Sequence, residues 1–92
     1  MTPGKAEEIG IEALVWMSSR EDTMAGFLAA SGASIDDLRQ QSQDKAFLGF
    51  VLDYIMTHDE YVLEFAELSR IAPGDVAAAR MALPGGEQPN WT

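Results

Sequence analysis

The 92-residue sequence contains no cysteine and a single histidine, His58. That excludes a disulfide framework, a thiolate nucleophile, a CxxC redox pair, a Cys-ligated zinc and a His-rich metal site. Bases are scarce too: six Lys and Arg stand against 15 Asp and Glu, for a formal net charge of −9. A field of that sign repels phosphate backbones and anionic bilayers, so direct nucleic-acid binding and a peripheral membrane role are both disfavoured. The most apolar stretch, Ala46 to Met56, is interrupted by Asp53 and falls well short of the roughly 20 residues a membrane span needs. The start, Met1-Thr2-Pro3-Gly4-Lys5, runs into Glu7 and Glu8 before any apolar run. It therefore lacks the pattern of a signal peptide, and the expectation is a cytoplasmic protein. Also missing are a G-x-S-x-G elbow, a P-loop and a dinucleotide-binding glycine pattern. The Asp-Ser-Leu context of an acyl carrier is absent as well, because Ser34-Ile35-Asp36-Asp37-Leu38 puts Asp37 where the serine belongs. No catalytic residue, cofactor or metal site is expected.

What is present is helical pattern. Apolar residues make up 47% and charged residues 23%, an ordinary balance for one small globular domain. Residues 5–18 predict a first helix with Ile9, Ala13, Trp16 and Met17 inward, Leu14 and Val15 widening that face. Ser19 is placed to cap a second helix carrying Glu21 and Asp22 in its first turn, with Met24, Phe27 and Leu28 buried and Gly32 as the stop. Ser34 starts a short third helix with Ile35 and Leu38 inward. Asp44 caps a fourth, 45–56, whose only polar line is Lys45, Gly49 and Asp53; such a helix is surrounded by others. Thr57 and Glu60 have capping-box spacing. They predict a fifth helix over 58–70 that pairs with the fourth and buries Tyr61, Val62, Phe65 and Leu68, with Leu63 a further candidate. Pro73 and Asp75 open a last helix that ends before Pro84-Gly85-Gly86. The reading is an all-α, compact bundle of five to six short helices around the central apolar helix. It forms a single domain over 1–84, and 85–92 is expected to be a mobile tail.

Few residues carry chemistry in this pattern. Glu60, Glu64 and Glu67 share a helical face, but the Glu-x-x-His pairs of a dinuclear bundle and the loop of an EF-hand are missing, so the stripe reads as solvated. His58 stands beside Asp59 and Glu60 at a helix start, where it reads as a surface turn residue. The methionines Met17, Met24, Met56 and Met81 read as core filling. Two positions remain of interest. Asp53 interrupts the most apolar helix, and there a carboxylate is either a clamp to an arginine or a site residue. Trp91 is an aromatic in a polar tail, which docks on its own domain or on a partner.

The sequence joins Phe47-Leu48-x-x-Val51-Leu52-Asp53-Tyr54 to Asp59-Glu60-x-x-Leu63-x-Phe65-Ala66, and closes on Pro73-x-x-Val76-x-x-Ala79-Arg80-x-x-Leu83. Ahead of these stand Ala13-Leu14-x-Trp16, Phe27-Leu28-x-x-Ser31-Gly32 and Asp37-Leu38-Arg39. In this pattern the chain resembles a family of short bacterial proteins, mainly alphaproteobacterial, classed as a domain of unknown function. The resemblance covers about residues 8–83 and implies an all-helical fold, with no activity to carry over. Three functional expectations follow. The first is a non-catalytic soluble interaction protein, with a homodimer as one form, because helices one and four are apolar nearly all round. The alternative is a small-molecule-binding or enzymatic protein with a pocket near Asp53, lined by Phe47, Tyr54, Tyr61 and Phe65. The third is an acidic mimic of nucleic acid, although the acids gather at helix starts, where capping accounts for them.

Overall fold

Backbone capping divides the chain where the local chemistry changes. The computed structural model describes residues 1–42 and 44–84. These form six helices: α1 (Pro3–Ser18), α2 (Glu21–Ser31), α3 (Ile35–Gln41), α4 (Lys45–Ile55), α5 (Asp59–Ser69) and α6 (Pro73–Ala82). No strand occurs among the described residues, so the fold is all-α. Trp91 and the tail 85–92 lie outside the described residues.

Several starts follow from side chains that satisfy otherwise orphaned N–H groups. The Thr2 hydroxyl accepts from the Lys5 N–H at 3.2 Å, so α1 begins two residues earlier than its apolar periodicity suggests. Ser34 and Asp37 form a reciprocal capping box on α3, at 3.2 and 3.0 Å. Asp44 accepts from the Ala46 N–H at 2.9 Å, and Asp75 reaches back to the Ala72 N–H at 3.0 Å. Gly32 ends α2 at φ 73°, a left-handed stop that costs glycine nothing. Arg70 ends α5 in the same region at φ 59°, where a side chain is strained.

Two expected caps are corrected. The Ser19 hydroxyl donates to the Trp16 carbonyl at 2.7 Å, leaving Arg20 at the N-cap of α2 without a side-chain bond. The Thr57 hydroxyl donates to the Tyr54 carbonyl at 2.6 Å, and α5 starts after His58. In both, a hydroxyl that follows a helix bonds back to that helix's last turn and is lost to the next one.

The core gathers α1, α4 and α6, with α2 and α5 packed on their flanks. Helix α1 has its largest interfaces with α4 and α6. At the α1–α4 crossing a Cβ on Gly10 would lie 2.9 Å from Leu48 Cβ, so the close approach depends on that glycine. Helix α4 packs on α1 and α6 and more lightly on α5, leaving Ala46 and Phe50 exposed, so it is not surrounded on every side as its composition suggested; α5 packs mainly on α6. Phe27, Phe65, Ile9, Met17, Leu48, Leu52 and Ile55 are fully buried, each contributing ~1.5–3 kcal/mol of burial.

The aromatic rings of the described residues form one connected chain. Phe27 sits 6.0, 5.6 and 5.5 Å from Phe47, Phe50 and Tyr54. Tyr54 then meets Tyr61 at 6.2 Å, and Trp16 joins Tyr61 and Phe65 at 5.9 Å each. Such pairs add ~0.5–1.5 kcal/mol beyond burial. Not every apolar residue expected inside is there. Val15, Ile35, Leu63, Leu68, Met56 and Met81 are exposed, since helical periodicity marks a residue as apolar without fixing whether another helix reaches it.

Candidate functional site

Asp53 resolves into a clamp. Its carboxylate accepts from Arg80 Nε at 2.5 Å and from a terminal guanidinium nitrogen at 2.8 Å, tying α4 to α6 through a two-pronged ion pair. The other terminal nitrogen of Arg80 donates to the Pro84 carbonyl at 3.2 Å. Arg80 is 9% exposed, an unusual depth for a charge and tolerable only because its donors are matched. Gly49, one turn before Asp53, makes the room: a Cβ there would come within 2.8 Å of the guanidinium and 3.1 Å of the Pro84 carbonyl. The polar line Gly49–Asp53 is thus the bed of a buried arginine. Sequence reading missed Arg80 as the partner; a glycine inside an apolar helix, signalling close approach, was the available clue.

Phe47, Tyr54, Tyr61 and Phe65 belong to the packed aromatic chain. Neither of two apolar grooves that flank α1 is lined by Asp53 or by any of these four rings. Trp16 is buried against Tyr61 and Phe65, with the Arg20 guanidinium 5.3 Å from its ring; Arg20 also pairs with Glu64. The Trp16 Nε1–H has no acceptor among the described residues. His58 is exposed, with Nδ1 2.9 Å from the Thr57 hydroxyl and its ring 4.5 Å from that of Tyr61. Burial, and secondarily the Tyr61 phenol, raise the Tyr54 phenol above its usual pKa. No group of three metal-ligating side chains forms among the described residues, and Glu64 of the acidic stripe is engaged by Arg20. Nor is any helix among them long and apolar enough to cross a membrane.

Two apolar concave surfaces lie on either side of the exposed edge of α1. One is an open groove of about 440 Å³ between α1, α2 and α3, lined by Leu14, Val15, Ser18, Met24, Ile35, Leu38, Arg39 and Ser42. The other, about 390 Å³ between α1 and α5, is lined by Ile11, Glu12, Val15, Trp16, Leu68 and Ser69. Val15 forms the ridge between them. Ile11 is 40% exposed, Val15 64%, Ile35 51% and Leu68 66%. Periodicity read three of these as inward, which hid both grooves; a helix pattern shows which residues are apolar and not how far the neighbouring helix extends.

Among curated proteins and among solved structures, nothing matches the chain. A family model does, over residues 3–86, and its description is a protein of unknown function. That span holds all six helices, the arginine clamp and both grooves, and the chain belongs to this family, DUF3572.

Proposed function

We propose that the protein is a small non-catalytic interaction protein that pairs with a second copy of itself along the α1–α5 face. The observation that supports this is the contiguous exposure of Ile11, Val15 and Leu68 around one shallow groove. Burying a fully exposed side chain of this kind is worth ~1.5–3 kcal/mol, of which the fraction still exposed here remains to be gained, and contiguous exposed apolar patches mark association surfaces. Two-fold pairing sets identical patches against one another, so the ridge at Val15 meets apolar surface on the partner. Glu12 within the groove and a net charge of −9 on each copy oppose this pairing. Association is therefore expected to strengthen as salt screens the repulsion.

Sedimentation velocity at micromolar concentrations, in low and high salt, tests the reading. The expected result is a concentration-dependent dimer favoured by salt and abolished by Val15→Glu. Because Val15 is exposed, that variant keeps the fold. A monomer at every concentration and salt level removes the proposed pairing.

A further inference from the structure

The groove between α1, α2 and α3 differs in character from the α1–α5 face. Its floor is Leu14, Met24 and Leu38, all buried, and its walls are the exposed Val15 and Ile35. Its volume of about 440 Å³ lies within the ~300–1,000 Å³ of small-molecule sites. One charged side chain lines it, and that side chain is a cation, Arg39. Lys5, Arg20, Lys45 and Arg80 each have a carboxylate partner, whereas among the described residues Arg39 and Arg70 form no ion pair, and of these two only Arg39 lines the groove. It stays unpaired although Asp36 and Asp37 lie within one turn of it on α3, Asp37 being committed to the Ser34 capping box. Helix α3 is also the least embedded element, with Leu38 as its one buried residue.

We infer that this groove binds a single-chain amphiphile with a carboxylate head, the chain lying over Leu14, Met24 and Leu38 and the head on Arg39. An apolar chain removes Val15 and Ile35 from water. A planar guanidinium at the rim matches a carboxylate with two parallel hydrogen bonds, which a cation or an alcohol cannot accept in the same way. The preference runs against the field of the whole molecule: a chain of net charge −9 attracts an amine and repels an acid unless a local cation decides the matter.

Decanoate, decylamine and decanol, each kept below its micelle-forming concentration, are titrated into isotope-labelled protein and followed by amide chemical shifts. Decanoate is expected to bind most tightly and to move the resonances of Leu14, Met24, Leu38 and Arg39. Arg39→Gln is expected to weaken decanoate roughly tenfold while leaving decanol unchanged, and Arg39→Glu to reverse the order in favour of decylamine. Arg39 is exposed, so neither variant threatens the fold. Any of four outcomes overturns the inference: equal or tighter binding of decylamine by the wild type, no loss with Arg39→Gln, shifts confined to Ile11 and Leu68, or binding only to phosphatidylglycerol vesicles. Because Val15 borders both surfaces, self-pairing is read by sedimentation of the ligand-free protein, so failure here leaves self-pairing along α1–α5 to stand or fall alone.

Discussion

Replacing Asp53 by alanine removes both carboxylate bonds to Arg80 and leaves a guanidinium, 9% exposed, with the Pro84 carbonyl as its remaining acceptor. Breaking a fully buried ion pair costs about 3–5 kcal/mol, and an exposed one about 0–1. This pair lies between those limits, because the Asp53 side chain is 38% exposed and water can enter where the carboxylate stood. The expected loss is about 2 kcal/mol. For a chain of this length that lowers Tm by about 8–16 °C. Arg80→Met keeps the apolar stem and leaves an Asp53 that water can hydrate, so it is the milder change. Combined with it, Asp53→Ala is expected to cost nothing further, which gives a coupling near 2 kcal/mol in the double-mutant cycle. Asp53→Asn, which keeps one acceptor, falls between wild type and alanine. Urea unfolding followed by circular dichroism supplies the four free energies, with an unchanged m-value as the check that the unfolded state is the same. Additive single-variant effects, or an Asp53→Ala loss below about 0.5 kcal/mol, would refute the clamp as a coupled unit.

Three further outcomes follow from individual residues. Gly10→Ala improves helix propensity by about 1 kcal/mol but drives a Cβ to 2.9 Å from Leu48 Cβ; overpacking of about 1–3 kcal/mol is expected to win, read as a lower urea midpoint. Arg70→Gly relieves the left-handed strain at φ 59° and is expected to raise stability by about 0.5–1 kcal/mol in the same assay. For Tyr54 the folded pKa lies above the unfolded one, so the folded state keeps a proton that the unfolded chain releases. Its contribution is fully present below the unfolded pKa of ~10 and declines as pH rises from there through the folded value. Urea midpoints measured across that range should fall with pH, and Tyr54→Phe should remove part of the slope.

The helices were largely legible because their signals are local. Ser34 with Asp37, Asp44, Pro73 with Asp75, and Gly32 each act within one turn, and each stands where the sequence places it. Ser19 and Thr57 misled because a hydroxyl between two helices can serve either, and the choice depends on how the chain turns. Asp53 was legible as an anomaly and not as a bond, since its partner lies 27 residues away on a helix whose placement the core decides. The grooves were hidden for the same reason. Val15, Ile35 and Leu68 satisfy helical periodicity, and only the assembled helices show that nothing among the described residues covers them.

The bed that Gly49 provides for Arg80 has a consequence for how such a chain can change over time. With the arginine clamped in place, a Cβ at position 49 would come within 2.8 Å of the guanidinium and 3.1 Å of the Pro84 carbonyl, so one of them must shift before the glycine can be filled. Once the arginine is lost, the tightest of those contacts goes with it, and the gain of about 1 kcal/mol in helix propensity from alanine is opposed by the Pro84 carbonyl alone. The two positions are thus coupled. Loss of the arginine makes position 49 easier to fill, and a filled position 49 crowds the place to which an arginine would return.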